Sequence, residues 1–155
     1  MNNPSHKLFV LSCLVLASHL AFANMSKIQT SPTGLRYMTG GIGEDQVAEM
    51  KPYAKKFTLN LIFSEGVVGR LATNVNVNIY DEESNLKFRI VGSQPVLYVN
   101  LPAGTYTVLA NNNGNKLRQK ITVEDNSNQK VILNWKDLGN GQAIEEDMPM
   151  DAEGN

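Results

Sequence analysis

From residue 57 onward the chain alternates between apolar and polar positions. Phe57, Leu59, Leu61 and Phe63 fall at every second place, with Thr58, Asn60, Ile62 and Ser64 between them. The same period recurs in Val75, Val77 and Ile79 against Asn74, Asn76 and Asn78, and in Leu86, Phe88 and Ile90 against Lys87 and Arg89. Leu97, Val99 and Leu101 alternate with Tyr98 and Asn100; Tyr106, Val108 and Ala110, then Ile121 and Val123, then Val131, Leu133 and Trp135 complete the series. Successive side chains of a strand point to opposite faces, so each run reads as a strand with one apolar and one polar side. Turn-forming residues separate the runs: Gly66 and Gly69, the polar stretch 81–85, Pro102-Ala103-Gly104, and the Asn-Asn-Asn-Gly-Asn segment 111–115. About seven short strands spaced this way predict an all-β fold, an antiparallel Greek-key β-sandwich whose outer faces meet water.

Ahead of these strands the period changes. Gly40-Gly41-Ile42-Gly43 leads into 44–51, where Glu44 and Asp45 stand first and Lys51 last, as a helix dipole favours. Val47, Met50 and Ala54 recur at helical spacing, which predicts one short N-terminal helix ended or bent at Pro52. The stretch 24–39, with Pro32 and Gly34, reads as a lead-in without regular structure. The division expected is therefore a lead-in and helix over 24–54, a β-sandwich over 55–136, and a tail over 137–155.

Residues 1–23 form a separate unit. Lys7 is followed by an apolar run through Ala17, and Ala21-Phe22-Ala23 places small residues where a signal peptidase requires them. The run is shorter than the roughly 18–20 apolar residues of a membrane span. The pattern predicts a cleaved signal peptide, cut between Ala23 and Asn24, a periplasmic or secreted protein, and no stable membrane span afterwards. Cleavage would remove 23 of 155 residues and leave 132, the size of one domain. It would also remove Cys13, His6 and His19, every cysteine and histidine in the chain. Disulfides, thiol nucleophiles, a Ser-His-Asp triad and the usual zinc sites are then outside the chemistry of what remains. No cofactor is expected.

Charge divides unevenly. Residues 24–136 hold thirteen Lys and Arg against nine Asp and Glu, a net charge of +4, whereas 137–155 carries six acids and no base. That acidic, glycine-containing stretch is expected to be a disordered, solvated tail. A net charge of +4 on an exported protein argues against nucleic acid as a partner.

Candidate chemistry is sparse. The glycines before the helix lack the Gly-Lys-Ser/Thr ending of a phosphate loop and are followed by two acids, so Arg36 and Tyr37 are the better contacts for any partner there. Asp81, Glu82 and Glu83 are consecutive in a turn and diverge, where a calcium site needs convergence. Tyr106 and Trp135 fall on the apolar register. Tyr80 and Tyr98 fall on the polar register, which makes them the candidates for a carbohydrate-facing surface.

The segment Val99-Asn100-Leu101-Pro102-Ala103-Gly104-Thr105-Tyr106-Thr107-Val108, preceded by Val75-Asn76-Val77-Asn78-Ile79-Tyr80-Asp81, resembles the L-P-x-G-x-Y-x-V pattern of carboxypeptidase regulatory-like domains and of related transthyretin-like and collagen-binding B-type domains. The resemblance spans roughly 57–135 and implies a prealbumin- or Ig-like sandwich serving as a non-catalytic accessory, adhesive or carrier-binding module. Some collagen-binding B-type domains join a lysine to an asparagine between first and last strands. Lys55 or Lys56 and Asn134 hold those places here, but Asn134 is on the polar register and no acid accompanies it. Residues 37–50 also resemble the segment ahead of the β-domain in small exported bacterial proteins without an assigned activity. The expected function is a periplasmic, non-enzymatic binding or accessory module that presents sheet edges or loops to a protein or envelope polysaccharide. A carbohydrate-binding module and a carboxylate-based hydrolase are the alternatives.

Overall fold

A computed structural model describes residues 27–136. The predicted signal peptide and acidic tail lie outside the described residues. The chain folds into two packed β-sheets with one short helix. It runs through β1 (Gln29–Thr30), β2 (Arg36–Gly40), helix α1 (Glu44–Met50), a 3₁₀ turn (Lys51–Lys56), β3 (Leu59–Glu65), β4 (Arg70–Leu71), β5 (Val75–Asp81), β6 (Leu86–Ser93), β7 (Val96–Val99), β8 (Gly104–Asn112), β9 (Asn115–Val123) and β10 (Gln129–Trp135). The first sheet has the order β1-β2-β7-β3-β10, with β4 added beside β3; the second has the order β6-β5-β8-β9. The seven strands expected from alternation are β3 and β5 to β10, and the fold is an all-β sandwich.

Between the sheets lies the main core. Leu59, Leu61, Phe63, Leu97, Val99, Leu133 and Trp135 from the first sheet meet Val75, Val77, Ile79, Phe88, Tyr106, Val108, Ala110, Ile121 and Val123 from the second. These are most of the apolar members of the alternations, so period two placed most of the core. Each fully buried Leu, Val, Ile or Phe contributes about 1.5–3 kcal/mol by leaving water. Trp135 closes one end, its ring 6.3 Å from Phe63 and its Nε1–H donating to the Asn115 carbonyl at 2.9 Å. At the other end the Tyr106 hydroxyl donates back to the Pro102 carbonyl at 2.8 Å, which fixes the corner where the chain enters β8. Thr58 seals the same end: its Oγ1 accepts from the Leu101 N–H and donates to the Leu101 carbonyl, both at 2.8 Å.

The structure departs from expectation in three places. β10 pairs with β3 in parallel, from Gln129 opposite Leu59 to Trp135 opposite Glu65, so the sandwich is not wholly antiparallel. The chain arrives at β10 by crossing over from β9 in the other sheet, which sets that direction. Second, the supposed lead-in contains β2, paired with β7 from Tyr37 opposite Val99 to Gly40 opposite Val96. Third, Phe57 and Leu86, read on the core register, stay out of the main core: Phe57 packs on the outer side of the first sheet and Leu86 is exposed. Helix α1 ends at Met50 and gives way to the 3₁₀ turn at Pro52, as expected.

Helix α1 and the 3₁₀ turn cover part of the first sheet's outer face. Met50 and Phe57 pack there against Met38, Val96 and Tyr98 in a second, smaller core, with Phe57 and Tyr98 ring centroids 5.8 Å apart. The close approach depends on Gly41. Its φ is 91°, and a Cβ there would lie 2.7 Å from Val96 Cγ2 and 3.4 Å from Val47 Cγ2. At the far end of the second sheet, Asp81 organises the β5–β6 turn. Its Oδ1 accepts from the backbone N–H of Glu83 at 3.0 Å and of Asn85 at 2.8 Å, and its Oδ2 meets Asn85 Nδ2 at 3.1 Å and Lys87 Nζ at 3.2 Å. Partial burial alone would raise the carboxyl's pKa; the bonds from Asn85 and the Lys87 ammonium outweigh it and hold the pKa below the ordinary value of 3.8.

Gly41→Ala combines a left-handed backbone cost with overpacking against Val96, and is expected to destabilise the fold by about 2–4 kcal/mol in urea denaturation. Tyr106→Phe removes one hydrogen bond and should cost about 1 kcal/mol in the same assay. For Asp81, the folded pKa lies below the unfolded one. Its stabilisation is therefore complete above the unfolded value and fades as pH falls through the lowered folded value. Asp81→Asn should lower the melting temperature at neutral pH, with the gap to the parent closing across that acid range. A gap independent of pH would show that the carboxylate is not the anchor.

Candidate functional site

The four residues singled out as contacts do not converge. Tyr98, expected to face solvent, is only 6 % exposed and lies under the helix; burial pushes its phenol pKa up. Its register was read correctly as opposite to the main core, but the helix covers that side. Tyr80 lies on the outer face of the other sheet, so the two tyrosines are separated by the whole sandwich and form no common platform. Tyr37 turns inward, its ring edge-on to Phe88 at 5.2 Å, and its hydroxyl donates to Gln29 Oε1 at 2.9 Å. Arg36 is exposed on β2, near the edge of the first sheet.

Two shallow hollows mark the surface. One, about 340 Å³, is bordered by Thr58, Asn100–Ala103 and the turn 124–126. Its acids, Glu124 and Asp125, are chain neighbours on one rim, and the opposite rim of Asn100, Leu101, Pro102 and Ala103 carries no carboxylate to face them. A two-carboxylate hydrolysis needs the acids on either side of the bond. The other hollow, about 370 Å³, lies between Ser31, Pro32, Thr33, Leu86, Arg89 and Val91 and is mostly apolar. Among the described residues, no three His, Cys, Asp or Glu side chains gather as metal ligands would, and no helix is long and apolar enough to cross a membrane. Asn134, discussed above for a cross-link, donates its Nδ2 to Ser64 Oγ at 2.9 Å, while Lys56 Nζ sits 4.9 Å from the centre of the Tyr53 ring. These partners hold the two side chains in separate contacts.

The outer face of the second sheet is the surface with a consistent chemical character. Strand registers arrange it in cross-strand rows. Arg89, Asn78, Leu109 and Arg118 form one row across all four strands. Tyr80, Thr107 and Lys120 form the next, and Asn76, Asn111 and Lys116 flank it on the other side. Lys116, Arg118 and Lys120 are all exposed, while Ile121 and Val123 of the same strand are buried, as alternation requires. The three cations thus stand about 7 Å apart along β9, and Arg89 lies about 14 Å across the sheet from Arg118. No acid occurs in these rows. The ion pairs among the described residues, Arg70 with Glu65 and Lys87 with Asp81, involve none of the four.

Between its charges the face mixes polar side chains with Leu109, and with exposed Leu86 and Val91 on β6. Thr107, Leu109, Asn111 and Tyr80 are each half-buried and present short or planar side chains. β9 is an edge strand, and charges there also discourage pairing with another sheet. Arg89 lies on β6, the sheet's other edge strand, so that role accounts for all four cations; it does not account for the absence of acids among them. The sequence signal was the run Lys116-x-Arg118-x-Lys120, period two in charge. It was passed over because the first half of β9 has only Leu117 as an apolar member, so the alternation was read only from Ile121.

No protein-family model matches the chain, and no curated protein matches it in sequence.

Proposed function

We propose that this chain is an exported, non-enzymatic binding or accessory module, and that the basic outer face of its second sheet receives an anionic envelope polymer. The observation that carries this reading is the set of four cations, Arg89, Lys116, Arg118 and Lys120, spread over one face with no carboxylate among them. Spaced, exposed cations attract an extended polyanion at several points together, and each contact is weak alone. Planar guanidinium groups at both sides of the sheet suit bidentate contact with carboxylate, sulfate or phosphate groups. The resemblance of the segment 99–108 to carboxypeptidase regulatory-like domains, which serve as non-catalytic modules, favours the same class. Export, read from residues 1–23, makes an envelope polymer the relevant polyanion and nucleic acid the wrong one.

A neutral-glycan reading now rests on Tyr80 alone, since Tyr98 is buried. Dextran sulfate compared with neutral dextran separates the two. Calorimetry should show binding to dextran sulfate only. It should weaken steeply as salt rises from 0.1 to 1 M, where the screening length falls from about 10 to about 3 Å. The K116Q/R118Q/K120Q variant should lose roughly 3- to 150-fold in affinity, at about 0.2–1 kcal/mol per exposed contact. Equal binding to both polymers, or binding indifferent to salt, would remove the proposal.

A further inference from the structure

We infer that the chain's own acidic segment, 137–155, docks on the basic face of β9. Three observations point there. Charge is the first: the segment carries six acids, with Glu145, Glu146 and Asp147 consecutive, and no base. The β9 stripe carries Lys116, Arg118 and Lys120, all exposed. The second is the exit point. β10 ends at Trp135, whose indole is bonded to the Asn115 carbonyl, so the chain leaves the sandwich beside Lys116, at one end of the stripe. The third is reach. Lys136 and Glu145 are nine chain steps apart, a span of up to about 30 Å. The stripe from Lys116 to Lys120 is about 14 Å long. The acids can therefore reach every cation in it. Apolar residues beside the acid run, Ile144, Met148 and Met150, have a counterpart in half-buried Leu109 at the centre of the face.

A second basic cluster is also within reach but lies farther from the exit than the β9 stripe. Lys51, Lys55 and Lys56 lie on the 3₁₀ turn, which Asn128 Nδ2 ties to the start of β10 through the Ala54 and Phe57 carbonyls. That cluster sits at the opposite end of β10 from the exit, about 20 Å away. Tethering gives the segment an effective concentration on the order of millimolar, enough for a set of weak ion pairs to be populated. Taken with the polyanion reading above, on which this consequence rests, the segment acts as a built-in competitor that sets a threshold for loading the face.

The test compares the purified protein, tail intact, with its E145Q/E146Q/D147N variant by amide nitrogen–proton correlation spectra. Docking predicts shift differences at 116–120 and at the neighbouring 107–111, none at 51–56, and their loss in 1 M salt. Differences absent from β9, or confined to 51–56, overturn the docking. Dextran sulfate titration forms the second arm, in which the neutralised variant should bind roughly tenfold tighter. If the β9 shifts appear and neither protein binds dextran sulfate, docking stands and the polyanion reading falls. If the shifts are absent and both bind equally, the polyanion reading stands and docking falls.

Discussion

Four consecutive residues, Val96 to Val99, are buried in β7, with Leu97 and Val99 turned to the core between the sheets and Val96 and Tyr98 turned to the helix. A strand apolar on both sides must be covered on both sides. The cover is the short stretch from Glu44 to Phe57, held close by the missing Cβ at Gly41 and pinned at its end by Asn128. Much of the molecule's asymmetry follows from that requirement. One sheet gives part of its outer face to the helix; the other carries no helix and is bordered only at β6, by the 31–33 loop. That second sheet is the one on which alternating positions are asparagine, threonine, lysine and arginine.

The same constraint explains which features were legible in the sequence. Where one face is buried and the other wetter, period two is clean, and β5, β8 and β10 could be read directly; β3 was legible because Asn60 and Ser64, though buried, are polar. β2 could not, because Tyr37 contacts the main core and Met38 the second core, and the polar partner that marks a strand is lacking. Tyr98 was misplaced for the same reason. Its register was legible, but what lies over that register is a tertiary fact set by a segment about fifty residues earlier. The rows of the basic face needed the pairing of β5, β6, β8 and β9, which no local pattern contains. Only the Lys-x-Arg-x-Lys run was visible beforehand.

The carboxylates divide by the work they do. Asp81 is engaged on all sides by the turn it anchors, so its charge serves structure. Glu65 is paired with Arg70. Glu124 and Asp125 occupy a turn where Ser127 returns to the Glu124 backbone in both directions. The acids among the described residues are thus found in turns, in the helix or beside a cation, and the long cross-strand rows are left to the bases. Segregation of this kind produces a field over one face without requiring a large net charge.

The parallel pairing of β10 with β3 has a mechanical consequence. The start of β3 and the end of β10 lie at opposite ends of a seven-residue ladder, from Gln129–Leu59 to Trp135–Glu65. A load applied between those two points runs along the strands and puts the ladder in shear, so its hydrogen bonds share the force. Antiparallel neighbours pulled from adjacent ends would instead open one bond at a time. In a domain with no cysteine among the described residues, this strand direction gives resistance to being pulled apart.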